Sequence, residues 1–263
     1  MKRVVVFIKQ VPDTAELKID PVTNTMIREG VPSIINPFDM YAIEEALKIK
    51  DKWGDTETVV MTMGPPQADA ALREAISMGI DKGILLSDKK FAASDTWATS
   101  YILSKAVEKL GDFDVLIAGK QATDGDTAQV GPGVATWLKI PSVTYVRKID
   151  ELEPGHAKVE RMRSEGFDII EVKGKFLMTV LKELNEPRIP SFRGKMAAKK
   201  AEIPVWGADD LNTDEANIGF TGSPTRVVKA FTPPPKKGGI KVEGDDLETV
   251  KGVFKFIKEN HLA

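Results

Sequence analysis

The chain has 263 residues, 42% hydrophobic and 29% charged, with a net charge of −2. That is room for one large α/β domain with an extension, and it gives no global pull toward nucleic acid or an anionic membrane. There is no cysteine, which excludes disulfides, thiolate nucleophiles, Cys-ligated zinc and iron–sulfur clusters.

The two histidines, His156 and His261, lie far apart in polar surroundings and read as surface residues. No G-x-S-x-G elbow and no HExxH helix occur. No catalytic or metal-ligating side chain is therefore expected, and any chemistry falls to a bound cofactor.

The N-terminal MKRVVVFIKQVPD has a basic start, but its apolar run VVVFI (4–8) is short and no small-residue cleavage site follows. It reads as a buried first strand rather than a signal peptide. No run of eighteen apolar residues occurs, so no membrane insertion is expected and a cytoplasmic location is the default. Four continuous apolar runs, RVVVFIK (3–9), TVVMTM (58–63), KGILLS (82–87) and DVLIAG (114–119), read as strands buried on both faces, as in parallel sheets.

Between the first two, LKIDPVTNTMIREG (17–30) predicts a β-hairpin turning around Pro21–Asn24. In NPFDMYAIEEALKIKDKWG, Asn36 suits the N-cap, Pro37 the first helical position and Asp39 the positive end of the dipole. Met40, Ile43 and Leu47 face inward and Gly54 stops the helix. A second helix over 66–79 gathers Ala71, Leu72, Ala75 and Ile76 and stops at Gly79. A third spans about 95–110, opening at Ser94 or Asp95. Strand and helix alternate, which predicts a doubly wound, mostly parallel, Rossmann-like α/β sheet.

After residue 141 the pattern alternates apolar and polar with turns at Pro154-Gly155, Gly166 and Gly174, which predicts antiparallel strands added to one side of the sheet. FTPPPKKGGI (231–240) reads as a Pro/Gly linker. Beyond it Asp245, with Glu248 in capping-box position, opens an amphipathic helix whose Leu247, Val250, Phe254 and Ile257 share one face. The expected division is a nucleotide-binding domain, 1–230, and a C-terminal arm, 231–263. The arm's helix docks either on its own domain or on a partner chain.

The stretch GKQATDGDTAQVGPG (119–133) stands where a strand ends and a helix begins. Gly119 and Gly125 allow sharp turns. Asp126 with Gln129 reads as a capping box, and Gly131–Pro132 offers a second start for the same helix. Gly131, Gly133 and Ala135 leave bare backbone that a ligand can approach. Helix amides suit phosphate and acids suit ribose hydroxyls, so the loop fits a nucleotide; the alternative is a plain Gly-rich turn. Phe7, Lys9, Met63, Gly64 and Gly119 to Gln121 fall at strand carboxyl ends, where open parallel sheets bind ligands, and Asn36 to Asp39 open the first helix beside them.

LNEPRIPSFRGKMAAKK (184–200) is broken by Pro187 and Pro190, after which Ser191 caps a short helix. Phe192 among Arg188, Arg193 and Lys195 has the form of a protein-docking anchor. The alternative is an ordinary loop whose Phe packs on its own domain. A nucleic-acid reading is weaker, since the basic cluster is short.

Taken together, VFIKQVPD, NPFDMYAIEEAL, MGPPQADAALREAISMGIDKGI, GKQATDGDTAQVGP and LNEPRIPSFRGKMAAKK resemble the β subunits of electron transfer flavoproteins, in order and over nearly the whole chain. The resemblance implies an adenine-nucleotide-binding type of fold and a heterodimer with an α subunit that carries FAD. It implies a second nucleotide in this chain, mapping by motif to Phe7, Asn36, Pro37, Phe38, Asp39, Met63, Gly119, Lys120, Gln121, Ala122, Thr123, Asp124, Gly125, Asp126, Thr127, Ala128, Gln129 and Val130.

A recognition loop for partner dehydrogenases maps to Arg188, Ile189, Pro190, Ser191, Phe192, Arg193, Gly194, Lys195, Met196 and Ala197. Phe192 stands where many members have leucine, which leaves the partner's identity open. The C-terminal helix of such subunits reaches the FAD domain of the α subunit.

The nucleotide is AMP in simple carriers. In electron-bifurcating members it is a second FAD, which takes a hydride from NADH and sends one electron to ferredoxin or flavodoxin and the other, through the α-bound FAD, to an acyl-CoA dehydrogenase. GKQATDGDTAQVGPG followed by IPSVTYV resembles the bifurcating branch. The small residues from Val130 to Gly133 would leave room for an isoalloxazine. A nucleotide-binding regulatory domain without redox role is the reading from another class.

Overall fold

The computed structural model describes residues 2–13, 18–19, 26–27, 32–226, 242–244 and 246–260. Nine strands form one sheet. β1 (Lys2–Phe7), β6 (Thr56–Met63), β7 (Lys82–Leu86) and β8 (Val115–Gly119) are the four apolar runs, and all pair in parallel. The continuous sheet adds, in chain order, β9 (Ser142–Glu153), β10 (His156–Arg163), β11 (Gly166–Lys173), β12 (Phe176–Val180) and β13 (Val205–Trp206). The order is β11-β10-β9-β12-β8-β1-β6-β7-β13.

From β1 the chain proceeds outward through β6 and β7, then returns to place β8 on the other flank of β1. The topological switch point therefore lies between β1 and β8, where the crevice of a doubly wound sheet opens.

Helices cover both faces. α1 (Pro37–Trp53) and α2 (Asp69–Met78) pack on one side, burying Ile43, Leu47, Leu72 and Ala75 against Val4, Val6 and Val60. α3 (Thr96–Leu110) and α4 (Val130–Leu138) cover the other, burying Ile102, Ala106 and Val134 against Val5, Phe7, Met61 and Leu116. Gly54 and Gly79 stop α1 and α2 with φ of 74° and 127°, a region open to glycine at little cost.

β2 (Gln10–Pro12) pairs with β5 (Ser33–Ile35), and β3 (Lys18–Ile19) with β4 (Met26–Ile27), both antiparallel. The latter pair is the expected hairpin; its turn at 21–24 lies outside the described residues, as does the linker at 231–240.

Two expectations change. Of the strands after 141, only the β9–β10–β11 meander is antiparallel; β12 is a central strand, parallel to both β8 and β9. FLMTV is apolar without alternation and buried at every position, as a strand covered on both faces must be. The C-terminal helix α6 (Leu247–Glu259) is capped by Asp246, not Asp245: the Asp246 carboxylate accepts from the Thr249 amide at 2.9 Å and hydroxyl at 2.7 Å. None of its described residues is buried, and Leu247, Val250 and Phe254 are exposed as one apolar stripe. α5 (Phe192–Lys200) lies across α2, and its cap is the expected one, the Gly194 amide donating to Ser191 Oγ at 2.9 Å.

Candidate nucleotide site

The carboxyl ends of β1 and β8 are joined by the first turn of α1. Asn36 was expected to cap that helix. It does not: its side chain is buried and turned to the 119–129 loop, donating from Nδ2 to the Gln121 carbonyl at 2.8 Å and accepting at Oδ1 from the Thr123 amide at 3.1 Å. Asp39, also buried, accepts from the Lys9 amide at 2.7 Å. Asn36 and the Gly119 amide are its further partners.

Gly119 is required here by close approach rather than by turning. A Cβ would run into the Asp39 carboxylate, with the Phe38 carbonyl carbon 2.7 Å away and the Asp39 amide 2.8 Å away. Lys9 reaches over the loop with its ammonium on both oxygens of Asp124, at 2.8 and 2.7 Å. Lys120 sits with its ammonium 5.7 Å from the ring centres of both Phe38 and Tyr145. Tyr145, on the bulge of β9 beside β12, is held at φ 59° with its amide on Thr179 Oγ1 at 3.0 Å.

Burial dominates the titration of Asp39. Desolvation pushes its carboxyl up to about 7, against the pull of Asn36, the Lys9 and Gly119 amides and the Lys9 charge.

The loop departs from the expected capping box. Asp126 takes φ 56° and accepts from Gln121 Nε2, while its own amide donates to the Ala122 carbonyl at 2.8 Å. Gly125 carries no positive φ; Asp126 and Ala128, at 55°, do the turning. Asp tolerates this region by local hydrogen bonding, whereas Ala128 is held there at a cost of roughly 1 kcal/mol.

α4 begins after Gln129, whose side chain makes no capping bond. In the first turn of α4 Pro132 has no amide hydrogen and the Gly133 amide donates to the Gln129 carbonyl at 3.0 Å, so the Val130 and Gly131 amides are the ones left without a side-chain acceptor, at an edge where parallel strands end and anions can bind. Thr127 faces Thr96, their hydroxyls 3.5 Å apart, which brings the loop to the start of α3. Asp124, Thr127 and Gln129 are exposed at this edge, Asp124 with both oxygens on Lys9.

Phe7 is buried beneath this surface and Met63 is half-buried at the end of β6, so at the first of these the site has backbone rather than a side chain. The expectation that Gly131, Gly133 and Ala135 leave space for a ligand is overturned. A Cβ on Gly131 would lie 2.7 Å from Thr179 Cγ2, and one on Gly133 would lie 2.7 Å from Ser100 Cβ and Oγ. Ala135 is buried. These small residues let α4 press onto β12 and α3; they are packing positions.

Next to Thr96, a cleft of about 480 Å³ is lined by Trp97, Ala216, Asn217, Thr221, Gly222, Ser223 and Pro224. Trp97 is 48% exposed and its ring rests 4.8 Å from that of Trp137. The cleft is held by Asp95, which accepts from Ala98 to cap α3 and from the Thr225 amide (2.9 Å) and hydroxyl (2.6 Å). Ser223 Oγ accepts from the Asp95 amide at 2.8 Å and donates to the Gly219 carbonyl at 2.6 Å. Sequence reading passed over this wall. The signal was GFTGSPT (219–225), a turn-rich run whose small residues end next to an aromatic only in three dimensions.

On α1's outer side the LNEPR segment is clamped down. Arg188 donates from Nε and Nη2 to Glu44 at 2.9 and 3.0 Å and from Nη2 to Asp51 at 2.9 Å, and its amide also reaches Glu44 at 3.0 Å. Asn185 donates to Glu45 at 2.9 Å and to the Tyr41 carbonyl at 3.1 Å. Beyond this clamp Ile189 and Phe192 stand 88% and 83% exposed, so Phe192 does not pack on its own domain. Pro190, Arg193, Lys195, Met196 and Ala197 line the same outward segment; Gly194 touches α2, since a Cβ there would collide with the Ser77 carbonyl.

A doubly wound sheet with an uncapped helix N-terminus at its switch-point edge is an α/β architecture whose ligands bind at that crevice. Comparison with known proteins sharpens this. The family model for the electron transfer flavoprotein domain matches residues 23–211. The electron transfer flavoprotein subunit beta of Thermoanaerobacterium thermosaccharolyticum is 50% identical over 260 residues, 98% of this chain and 99% of the relative. The caffeyl-CoA reductase–Etf complex subunit CarD of Acetobacterium woodii is 48% identical over 261 residues, 99% of each chain. The electron transfer flavoprotein subunit beta of Clostridium acetobutylicum is 48% identical over 258 residues, 98% of each. The chain belongs to the electron transfer flavoprotein family, as a β subunit. Among the described residues no helix is long and apolar enough to cross a membrane.

Proposed function

We propose that this β subunit binds FAD at the β1–β8 edge and works in the cytoplasm as part of an electron-bifurcating heterodimer. The observation that carries the nucleotide is the uncapped first turn of α4, beside a loop that Asn36 and Asp39 hold in a strained shape. The open groove bordered by Trp97 supports a flavin over AMP, because it adds surface next to the loop that AMP would leave unused. A relative named as part of a caffeyl-CoA reductase–Etf complex fits the same reading.

In it the bound flavin supplies hydride acceptance from NADH and release of the pair as single electrons, one to ferredoxin or flavodoxin and one, by way of the α-subunit FAD, to an acyl-CoA dehydrogenase. This chain's residues do the holding. The Val130 and Gly131 amides of α4 face the phosphates, Gln129 and the Lys9-paired Asp124 the sugar, and Trp97 the ring. The recognition loop from Arg188 to Ala197 presents Ile189 and Phe192 to the dehydrogenase. The arm at 231–263 lays the apolar stripe of α6 on the α subunit.

Co-expression with the α subunit, followed by extraction and counting of nucleotides, tests the reading. Two FAD per heterodimer, both bleached by NADH, are expected. One FAD and one AMP would replace it with a simple carrier. A colourless chain that binds no α subunit would leave a regulatory nucleotide-binding domain.

A further inference from the structure

We propose that Asp39 is the positioning residue of the nucleotide loop: by lying across the crevice at the switch point it ties the ends of β1 and β8 to the first turn of α1, and so sets whether the loop is closed. The inference deepens the nucleotide reading above and rests on it for the ligand, but the clamp itself is a property of the free chain.

At the switch point the chain leaves β1 and β8 toward opposite sides, so nothing in the sheet's own hydrogen bonding holds their ends together beyond the last pair, Phe7 with Ala118. Asp39 supplies that tie with one carboxylate, through the Lys9 amide on the β1 side and the Gly119 amide on the β8 side. The close approach that excludes a Cβ at Gly119 shows how little slack the joint has.

Two further links run from the same joint into the loop. Lys9, fixed at its backbone by Asp39, grips Asp124 with its ammonium. Asn36, in contact with Asp39, holds Gln121 and Thr123. The three loop residues gripped, Gln121, Thr123 and Asp124, precede the strained turn at Asp126 and Ala128 that aims the start of α4.

Asp39 is buried with Lys9 as the cation facing it from β1. From the β8 side Lys120 is placed between Phe38 and Tyr145, and Asp124 is matched by Lys9. One turn along α1, Glu44 is matched by Arg188. Burial raises the Asp39 carboxyl toward neutrality. An open loop rehydrates the carboxylate, and the buried, closed form binds its proton more tightly. Closure is therefore most favoured below the ordinary value of 3.8, weakens as pH rises from there to the folded value near 7, and is constant above it.

The test is amide hydrogen exchange on the full chain from pH 4 to 8, corrected for intrinsic rates, for wild type, Asp39→Asn and Asp39→Ala, with FAD affinity measured alongside. Protection of residues 119–124 in wild type is expected to fall between pH 4 and 7 and to level off above 7. Asp39→Asn, neutral and of the same shape, should flatten that profile. Asp39→Ala should lower protection in the loop at least tenfold at every pH while β6 and β7 stay protected. A wild-type profile retained in Asp39→Asn, or full loop protection in Asp39→Ala, overturns the proposal. If exchange behaves as expected but the chain binds no FAD, the clamp stands and the nucleotide reading fails.

Discussion

Replacing Arg188 by Met separates anchoring from recognition in the partner loop. The guanidinium donates twice to Glu44, whose side chain is 7% exposed, and once to Asp51, 65% exposed. The Asp51 contact is worth little in solvent. A hydrogen bond to a charged group contributes about 1.5–3 kcal/mol, and removing one member of a buried pair strands the other. Arg188 itself is 37% exposed, so solvent screens the pair and the two Glu44 bonds together come to roughly 2 kcal/mol.

Met fills the stem's volume, so the loss is electrostatic. At about 2–4 °C per kcal/mol for a chain of this size, the melting temperature should fall by roughly 4–8 °C. A double-mutant cycle with Glu44→Gln, followed by thermal melts, isolates the pair; the double variant should recover most of the loss, since no buried charge is left alone. A change within about 0.5 kcal/mol for Arg188→Met, as at an ordinary surface site, would refute the reasoning. So would additivity in the cycle.

Three further outcomes are expected. Asp39→Asn should abolish a pH dependence that wild type shows between pH 4 and 7: the wild-type carboxyl moves from its ordinary 3.8 to about 7, so stability that is full below pH 4 is lost by pH 7. At about 1.4 kcal/mol per pH unit the wild-type loss across that window is on the order of 4 kcal/mol relative to the variant, read by urea unfolding at pH 4 and pH 7.5; a difference between the two proteins that does not change with pH contradicts it. Gly131→Ala and Gly133→Ala should each destabilise by about 1–3 kcal/mol in thermal melts, because each forces α4 off β12 or α3; altered nucleotide content at unchanged stability would return these positions to the ligand. Phe192→Ala should leave the melting temperature within about 1 °C, as its ring is exposed, while electron delivery to the proposed acyl-CoA dehydrogenase partner drops at least tenfold; lost stability would make the ring a packing element.

The alternation of apolar runs and amphipathic helices made the sheet readable, because strands covered on both faces must be apolar throughout and helices on their faces must show one stripe. β12 escaped for a local reason. Its run FLMTV follows three strands of alternating pattern and inherits their look, although its own composition is that of a central strand. The loop's place at the strand–helix edge was legible, but not the jobs within it. Asn36 has the same side chain whether it caps α1 or bonds Gln121. Small size at Gly131 and Gly133 serves a ligand or a neighbouring helix equally, and only the positions of Thr179 and Ser100 decide. The Trp97 cleft joins residues more than a hundred positions apart, a distance no local pattern spans.

What emerges from these placements is the part played by α1. Its first turn carries Asn36 and Asp39, which hold the nucleotide loop, and one to three turns further on Glu44, Glu45 and Asp51 hold the segment from Asn185 to Arg188. Between Asp39 and Glu44 the helix rises about 7 Å. The core fixes α1 through Ile43 and Leu47, which are buried between these polar positions. The candidate nucleotide loop and the segment that exposes Phe192 are therefore mounted on one element fixed by the core. If the proposed nucleotide and docking roles hold, the separation between donor and docked acceptor is set by the length of a packed helix rather than by loop motion. A change that loosens α1 at either end, Arg188→Met at one or Asp39→Ala at the other, should disturb the hydrogen exchange of the opposite site less than its own. Equal disturbance at both would mean that α1 moves as a lever instead of serving as a fixed mount.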